Sequence, residues 1–466
     1  MKKLSKQYKK LEQIFVVILL IIIPLYPKFP LLSVPGTYVA IRIEDLIIAA
    51  ICIYLIAIYS SKIRKISNIS MIKAYIIYIA VGITSLMSAV LITNTVQPLL
   101  GFLHLLRRVQ YFVPFIIGYL AIKNRSIEKT FIIKTLFLVV FMVFAYGLGQ
   151  KYLNWPIIVT QNREYAKGIA LRSIPGGHLN STFAGHYDLA SYMILVTPIF
   201  LVFFANNFNF RNLKNVSFIS VLVVLVGTWL VGISGSRIST ISFLATGLVS
   251  LILIKKFKII PFFLIFAILV FSLSNSLVTR YQRLIEVGTA QFQNVMNKLR
   301  TNSGESFVVY AQDQTQDFPE KRKKPDPTPT PAPVLEDRST SIRLNIEWPR
   351  AIRAFYKNPI LGTGFSSITL ATDNDYLRLL GELGIFGVLS FSTIFIILFK
   401  SFIEAIRVIK KFSRIEIAFI VGCSSSLLGV FINAAFIDIF EASKFAITFW
   451  LLQGLTFSLI TDKLRK

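Results

Sequence analysis

Residues 215–254 read NVSFISVLVVLVGTWLVGISGSRISTISFLATGLVSLILI. They form two runs without a charged side chain, 215–233 and 238–254, joined by the polar residues SGSR at 234–237. A helix needs about 20 apolar residues, within a range of about 17–25, to cross the hydrocarbon core of a bilayer. Each run is long enough for one crossing, because the runs contain 19 and 17 residues. The stretch therefore predicts two membrane-spanning helices joined by a tight turn.

Similar apolar runs recur along all 466 residues. Hydrophobic residues make up 54% and charged residues 16% of the chain, whereas soluble domains have about 45–50% and about 25%. Because so few polar side chains cannot cover a water-facing surface, this composition excludes a soluble globular domain. We predict an all-α, polytopic membrane helix bundle of about twelve transmembrane helices. The predicted spans are 12–27, 43–60, 71–93, 99–122, 130–149, 187–205, 215–233, 238–254, 258–278, 378–399, 415–434 and 445–461.

Membrane topology explains the net charge of +27. Connections rich in Lys and Arg stay in the cytoplasm, and five lysines precede the first span. The N-terminus is therefore predicted to be cytoplasmic, and an even number of spans returns the C-terminus to the same side. Basic connections beside anionic lipid headgroups account for the charge. We predict a multi-pass protein of the cytoplasmic membrane that contacts membrane lipids and binds no nucleic acid.

The spans divide the chain into three regions. Residues 1–278 are predicted to form an N-terminal bundle of nine spans with an outward loop at 150–186. Residues 279–372 form a long outward loop between spans nine and ten, and residues 373–466 form a C-terminal bundle of three spans.

The long outward loop has two unlike parts. Residues 301–340 are rich in Pro and Thr, a composition that cannot build a packed core and predicts disorder. Residues 349–358 place apolar side chains on one helical face and the basic residues Arg350 and Arg353 on another. This part predicts a short amphipathic helix that rests on the outer membrane surface.

Arginines inside or beside the predicted spans are candidates for function. Arg237 lies between two spans at their outward end. An arginine at a helix centre costs about 2.5–3.5 kcal/mol on insertion scales, so one that is present usually faces a cavity or an anion; snorkelling to the interface is the alternative. The fourth span contains His104, Arg107 and Arg108. At least one of these arginines is predicted to face the bundle interior, or else to pair with an acidic residue elsewhere.

A polar cluster is predicted just before the tenth span. Arg343 precedes the amphipathic helix, and the turn-forming segment NPILGTG at 358–364 follows it. Asp373, Asn374 and Asp375 then stand directly before the span. We expect the short helix and the turn to bring these side chains together at the outer membrane surface.

The order of these residues resembles the O-antigen ligase and polymerase family, which comprises bacterial glycosyltransferases of the outer face of the inner membrane. Ser236 and Arg237 match the family's serine and arginine after the seventh span, and the segment from Arg172 to Phe183 resembles its Arg-x-x-Gly-Thr-Phe region. Asp373 stands where the family usually has histidine. The remaining matches are Arg343, Trp348, Asn358, Pro359, Gly362, Gly364, Asn374, Gly384 and Gly387.

The resemblance implies that the chain transfers or polymerises a glycan from an undecaprenyl-diphosphate carrier onto a hydroxyl of a glycan, lipid or protein acceptor. Arginine forks bind phosphate oxygens and stay charged, so Arg237 and Arg343 are predicted to hold the diphosphate, with Asp373 as the third catalytic residue. No cofactor and no metal are predicted. The other predicted substrate contacts are Arg172, Asn374, Asp375, Arg350, Arg353 and His186.

Because the family's histidine is missing, the sequence does not identify which residue acts as the general base. In the family the histidine is thought to activate the acceptor hydroxyl, and an aspartate with an unperturbed pKa of about 3.9 is a weaker base unless burial raises its pKa. Asp373 or Asp375 is predicted to substitute, or His178 or His186 supplies an imidazole from the first outward loop.

Two other functions fit the same pattern. A lipid-linked glycan flippase, or another polytopic transporter, also has many spans and intramembrane arginines. A transporter predicts a repeat between its halves, however, and the long outward loop has no match in the first half. A family member that has lost catalysis is the second alternative. Ligase and polymerase differ only in the acceptor, and no residue identifies it.

Overall fold

A computed structural model describes most of the chain, and helices dominate it. The described residues are 2–35, 37, 39–159, 169–171, 177–208, 218–301, 338–368 and 371–464. The helices in this part of the chain are α1 (Lys2–Leu25), α2 (Ile43–Tyr59), α3 (Ile63–Ser67), α4 (Ser70–Leu91), α5 (Pro98–Lys123), α6 (Lys129–Tyr152), α7 (His186–Asn207), α8 (Phe218–Ser234), α9 (Arg237–Leu253), α10 (Ile260–Ser272), α11 (Asn275–Thr301), α12 (Arg338–Ile342), α13 (Trp348–Lys357), α14 (Asp375–Arg407), α15 (Arg414–Ala434) and α16 (Ser443–Leu464).

Strands are confined to two short antiparallel hairpins within the described ranges. The first pairs β1 (Pro30–Ser33) with β2 (Ala40–Arg42), and the second pairs β3 (Ile157–Val159) with β4 (Ile169–Leu171). Each hairpin lies in a connection between helices. The predicted all-α class is therefore confirmed.

Among the residues that the structure describes, eight helices are long and apolar enough to cross a membrane. They are α2 together with α3, and α4, α5, α6, α7, α14, α15 and α16. Helices α8 and α9 are apolar but contain only 17 residues each, and α10 forms a bent pair with the first part of α11. A polytopic membrane bundle is confirmed, and the count of twelve spans stays a prediction.

The two ends of the bundle are distinct. We call the end with the connections 92–97, 177–185, 235–236, 358–368, 371–374 and 435–442 the loop end. Hydrogen bonds join these connections to one another and to the helix ends around them. The opposite end contains both terminal segments and is joined by its own polar contacts between helices.

Helices α7 and α16 lie at the centre of the bundle. In both, 89% of the apolar segment is buried, and α7 packs on α8 and α15 while α16 packs on α5. Small residues let helices in a membrane approach closely. Gly454 of α16 faces the Phe115 carbonyl of α5, where a Cβ would clash. The close α5–α16 contact therefore depends on this glycine.

Helix α14 is broken at Gly384, which has φ +64° and ψ −164°. The break leaves helical carbonyls without partners in the ladder. The segment 358–364 supplies donors for two of these carbonyls. Thr363 N–H donates to Gly381 O (3.0 Å), and Gly364 N–H donates to Glu382 O (2.8 Å). The glycines of the sequence motif thus allow the turn and the broken helix to interlock.

The long loop contains more helix than the sequence predicted. Helix α11 occupies its first part, and the axis of this helix is bent by 93° from that of α10. Thr301 ends α11 and Arg338 begins α12, so both edges of the predicted disordered segment 301–340 are helical. Residues 302–337 lie outside the described residues. The predicted amphipathic helix at 349–358 corresponds to α13, one residue earlier.

Candidate active site

A π-helical turn places the central arginine of the site. Residues Arg343–Glu347 form this turn between α12 and α13, and Trp348 N–H donates to the Arg343 carbonyl. Pro349 accounts for the turn, because proline has no N–H and its ring crowds the carbonyl four residues earlier. Such π turns often occur at functional sites. Arg343 is buried, with 8% of its surface exposed.

Arg343 binds Asp373. Its Nε and Nη2 atoms both donate to Asp373 Oδ2, at 3.1 and 2.8 Å, and the Tyr187 hydroxyl also accepts a hydrogen bond from the guanidinium. Burial disfavours the charged guanidinium, but Asp373 and Tyr187 outweigh it and raise the pKa of Arg343. The arginine therefore stays charged in a partly dry site.

Asp373 has an unusual backbone. Its φ of +49° lies in the left-handed region, which Asp and Asn adopt more readily than other residues with a Cβ. Burial raises the pKa of Asp373 while Arg343 acts against the rise. The next residue, Asn374, caps α14 by accepting Leu377 N–H at 2.9 Å, and its Nδ2 donates to Ala435 O at 3.0 Å.

Asp438 holds the segment before α14 against the α15–α16 connection. Its carboxylate accepts from Thr372 N–H (2.8 Å), Asn374 N–H (3.2 Å) and Arg378 Nη2 (2.9 Å). Asp375 also binds this connection, because its Oδ2 accepts the backbone N–H groups of Ile439 (2.8 Å) and Phe440 (3.2 Å). The predicted substrate contacts Asn374 and Asp375 are thus engaged in holding these two connections together.

Two stacked imidazoles lie beside the site. The His186 ring is 4.4 Å from the His178 ring and 4.0 Å from the Tyr187 ring, measured between centroids. His178 packs against the backbone of Gly235, where a Cβ would lie 2.6 Å from its Nδ1 atom. Burial and the nearby Arg280 lower the pKa of His178, so this imidazole is neutral near pH 7.

Arg237 begins α9, directly after the turn at 234–236. Helix α11 covers this turn, because Arg280 Nη1 donates to Gly235 O at 2.8 Å and the Tyr281 hydroxyl donates to Arg237 O at 3.2 Å. Arg237 Nη1 lies 3.5 Å from Arg280 O. Contacts through Tyr187 and the two imidazoles connect the turn to Arg343.

The two arginines predicted on α13 have different surroundings. Arg350 is half-buried, and its Nη1 atom is buried without a hydrogen-bond partner among the described residues. Arg353 is exposed. Arg350 is also a charged neighbour of Glu347 in the cluster around Arg343. The third predicted loop arginine, Arg172, lies outside the described residues.

Sequence patterns did not identify Tyr187, Arg280, Glu347 or Asp438 as site residues. Tyr187 and Asp438 stand near predicted helix ends, and Arg280 and Glu347 stand in a polar segment where charge is expected. Tyr187, Arg280 and Asp438 meet the cluster only through tertiary packing, and Glu347 lies on the same π turn as Arg343, a turn that no sequence pattern predicted. Burial and charged neighbours raise the pKa of Glu347 to about 7.

A second charged group lies near the first turn of α7. Lys28 and Lys444 are buried, with 7% and 3% exposure, and Asp188 is among their charged neighbours. Lys444 Nζ donates to Thr182 O (2.6 Å) and Pro24 O (3.1 Å). Burial lowers the pKa of Lys28. The hydrogen bonds of Lys444 join the ends of α1 and α16 to the connection before α7.

The charged residue Arg108 of α5 also has a partner. Its guanidinium pairs with Glu441 and lies 3.4 Å from Phe440 O, which agrees with the ion-pair alternative for this span. The pair borders a cavity of about 50 Å³ that Asp375 and Arg378 also line. A space of this size has room for water but not for a sugar.

Comparison with known proteins supports the resemblance found in the sequence. Residues 221–392 match the family model described as O-antigen ligase. The matched range includes Arg237, Arg343 and Asp373, together with the interlocked turn and the break in α14. No curated protein matches the chain. The predicted resemblance to O-antigen ligases is therefore confirmed over this range.

Proposed function

We propose that the protein is a metal-independent glycosyltransferase of the bacterial cytoplasmic membrane. It transfers or polymerises a glycan from an undecaprenyl-diphosphate carrier onto an acceptor hydroxyl at the outer face. The observation that carries this proposal is the buried Arg343, which is held by Asp373 and Tyr187 and lies within the range that matches O-antigen ligases.

The chemistry of a diphosphate leaving group fits this arrangement. Negative charge grows on the diphosphate as its bond to the sugar breaks, and fixed cations in a water-poor site stabilise that charge strongly. Arg343 supplies a permanent charge whose position is fixed by two hydrogen bonds to Asp373. Arg237 and Arg280 lie at the far side of the imidazole pair and provide further positive charge.

The apolar surroundings fit a lipid-linked donor. The site lies at the loop end of a bundle whose helices are apolar enough to cross a membrane. The polyprenyl chain of the donor would remain in the bilayer beside these helices, while the diphosphate and sugar reach the loop end. Helix α13 would flank the glycan, because Trp348 and Arg350 of α13 adjoin Arg343.

The test is glycan transfer by the purified full-length protein in liposomes. The probe is the whole membrane extract of cells that lack the protein, which supplies the lipid-linked glycan donors together with the glycan, lipid and protein acceptors. The readout is free undecaprenyl diphosphate, which is released whatever the sugar or acceptor. We expect Arg343→Ala and Arg237→Ala to lower the rate by at least about 100-fold, because the loss of one charge-stabilising donor costs about 10²–10³ in rate.

Arg283→Ala is the matched control, since Arg283 is an exposed arginine of α11. It should transfer at the wild-type rate. Normal transfer by both the Arg343 and Arg237 variants would refute the role of these arginines. Movement of the lipid-linked glycan across the bilayer without release of undecaprenyl diphosphate would support the flippase alternative instead.

A further inference from the structure

One oxygen of the Asp373 carboxylate is engaged by Arg343. Two N–H groups of Arg343 donate to its Oδ2 atom, at 3.1 and 2.8 Å. Burial raises the pKa of Asp373, but the positive charge of Arg343 opposes this rise and so makes the carboxylate a poorer proton acceptor than burial alone would. Its left-handed φ of +49° also suits an aspartate that turns the chain toward α14. Both features describe a residue that holds Arg343 in place.

Glu347 is a second carboxylate at the same π turn, four residues after Arg343. Its Oε2 atom is buried and has no hydrogen-bond partner within the described ranges, and the same holds for Trp348 Nε1 and Arg350 Nη1. Nearly all buried polar groups in native proteins are hydrogen-bonded, and an unpaired one calls for an explanation such as a catalytic role. Three such atoms within four residues mark this joint as a place for a polar ligand.

The charged groups around Glu347 come from several elements. Asp373 faces it from the segment before α14, Asp438 from the α15–α16 connection, Arg350 from α13, and Arg343 from its own turn. Burial and Asp373 raise the pKa of Glu347 to about 7, against the effect of Arg343. A general base works best when its pKa lies near the working pH.

We propose that Glu347 is the general base of glycan transfer and that Asp373 is a positioning residue for Arg343. This proposal rests on the proposed function. The acceptor oxygen forms a bond to the anomeric carbon of the donor sugar while its proton passes to the Glu347 carboxylate. The bond from that carbon to the diphosphate oxygen breaks, and its electron pair leaves with the diphosphate, whose charge Arg343 offsets.

The test compares pH–rate profiles in the liposome assay with the same membrane extract, which contains both donors and acceptors. The wild-type rate should rise with pH and reach half its maximum near pH 7, because the base must be deprotonated. Glu347→Gln should remove this rise with pH. It should also lower the rate by a factor of about 10²–10⁴, which is the usual contribution of a general base. Glu347→Asp, which keeps a carboxylate, should show part of the rise with pH and part of the wild-type rate.

Asp373→Asn separates the two carboxylates. If Glu347 is the base, this variant keeps the rise with pH, and its midpoint moves to lower pH because the negative charge that raises the pKa of Glu347 is gone. The rate itself should fall, since Arg343 loses its partner. Loss of the rise in Asp373→Asn would instead identify Asp373 as the base and overturn the proposal.

Controls make the outcomes distinct. Glu286→Gln changes an exposed carboxylate of α11 and should leave the profile unchanged. Thermal unfolding checks that each variant folds. If Glu347→Gln does not fold, the pH–rate profile of Asp373→Asn still shows which of the two carboxylates is the base. A wild-type protein that releases no undecaprenyl diphosphate refutes the proposed function, whereas a wild-type profile in Glu347→Gln refutes only the role of Glu347.

Discussion

At the scale of residues, left-handed backbone is concentrated around the site. Gly362, Gly364, Ser366, Asp373 and Gly384 all have positive φ. Such conformations cost about 1–3 kcal/mol for residues with a Cβ and persist where the surrounding structure holds them. Four of these residues lie between the π turn and α14, and Gly384 interrupts α14 itself. Asp373, the last of the four, pairs with Arg343.

Gly384 tests this view of the backbone. Its φ of +64° and ψ of −164° lie in a region that essentially only glycine adopts, and a Cβ there would clash with the Ile360 carbonyl. We expect Gly384→Ala to destabilise the protein by at least about 2 kcal/mol and to lower its unfolding temperature in detergent.

Gly288 provides the control for this substitution. It lies within α11, and a Cβ there would meet nothing within 4 Å. Alanine is favoured over glycine inside a helix by roughly 0.5–1 kcal/mol, so Gly288→Ala should leave stability unchanged or raise it slightly. Equal unfolding temperatures for the two alanine variants would contradict the structural role of Gly384.

At the scale of elements, the joint between α12 and α13 determines how the site is assembled. The π turn there runs from Arg343 to Glu347 and directly precedes α13, whose second residue is Pro349. Proline prevents a regular α-helix from continuing through this point. The positions of Arg343 and Glu347 therefore depend on a break in regular α-helix that Pro349 imposes.

Pro349→Ala should remove the cause of this irregularity. Alanine supplies an N–H that can bond to the carbonyl four residues earlier, so the π turn can relax into α-helix and shift Arg343 relative to Asp373. Displacements of about 1 Å at a catalytic group can cost about 100-fold in rate. We expect transfer to fall by about that factor while the unfolding temperature stays close to wild type; wild-type transfer would show that the turn does not depend on Pro349.

At the scale of the whole molecule, the orientation in the membrane is open to a direct test. The site lies at the loop end, and the proposed function requires this end to face away from the cytoplasm. Arg283 is exposed at the loop end on α11, and Lys410 lies in the α14–α15 connection at the opposite end. Single cysteines at these places report on opposite sides of the membrane.

Labelling is measured with a membrane-impermeant maleimide in a background with Cys52→Ser and Cys423→Ser. We expect Arg283→Cys to react in intact cells and Lys410→Cys to react only after the membrane is permeabilised. The reverse pattern would place the site in the cytoplasm and refute the predicted topology.

The sequence alone determined the membrane class, the positions of the apolar helices and the order of motif residues. These features are local, because crossing a bilayer requires about 20 consecutive apolar residues and a proline or glycine acts on its own stretch of backbone. The amphipathic helix α13 was predictable for the same reason, because its pattern lies within ten consecutive residues. The sequence also indicated the resemblance that residues 221–392 confirm.

Only the tertiary structure decided which side chains meet. Tyr187 lies in the first turn of α7 and Asp438 lies in the α15–α16 connection, and both reach the cluster because these elements pack beside α14. Glu347 shares the π turn of Arg343, but two of its charged neighbours, Asp373 and Asp438, come from elements distant in sequence. The tertiary structure also distinguished the half-buried Arg350 from the exposed Arg353, which the helical pattern had placed on one face. The physical reason is that burial and charge at a site depend on neighbours distant in sequence, which no local pattern encodes.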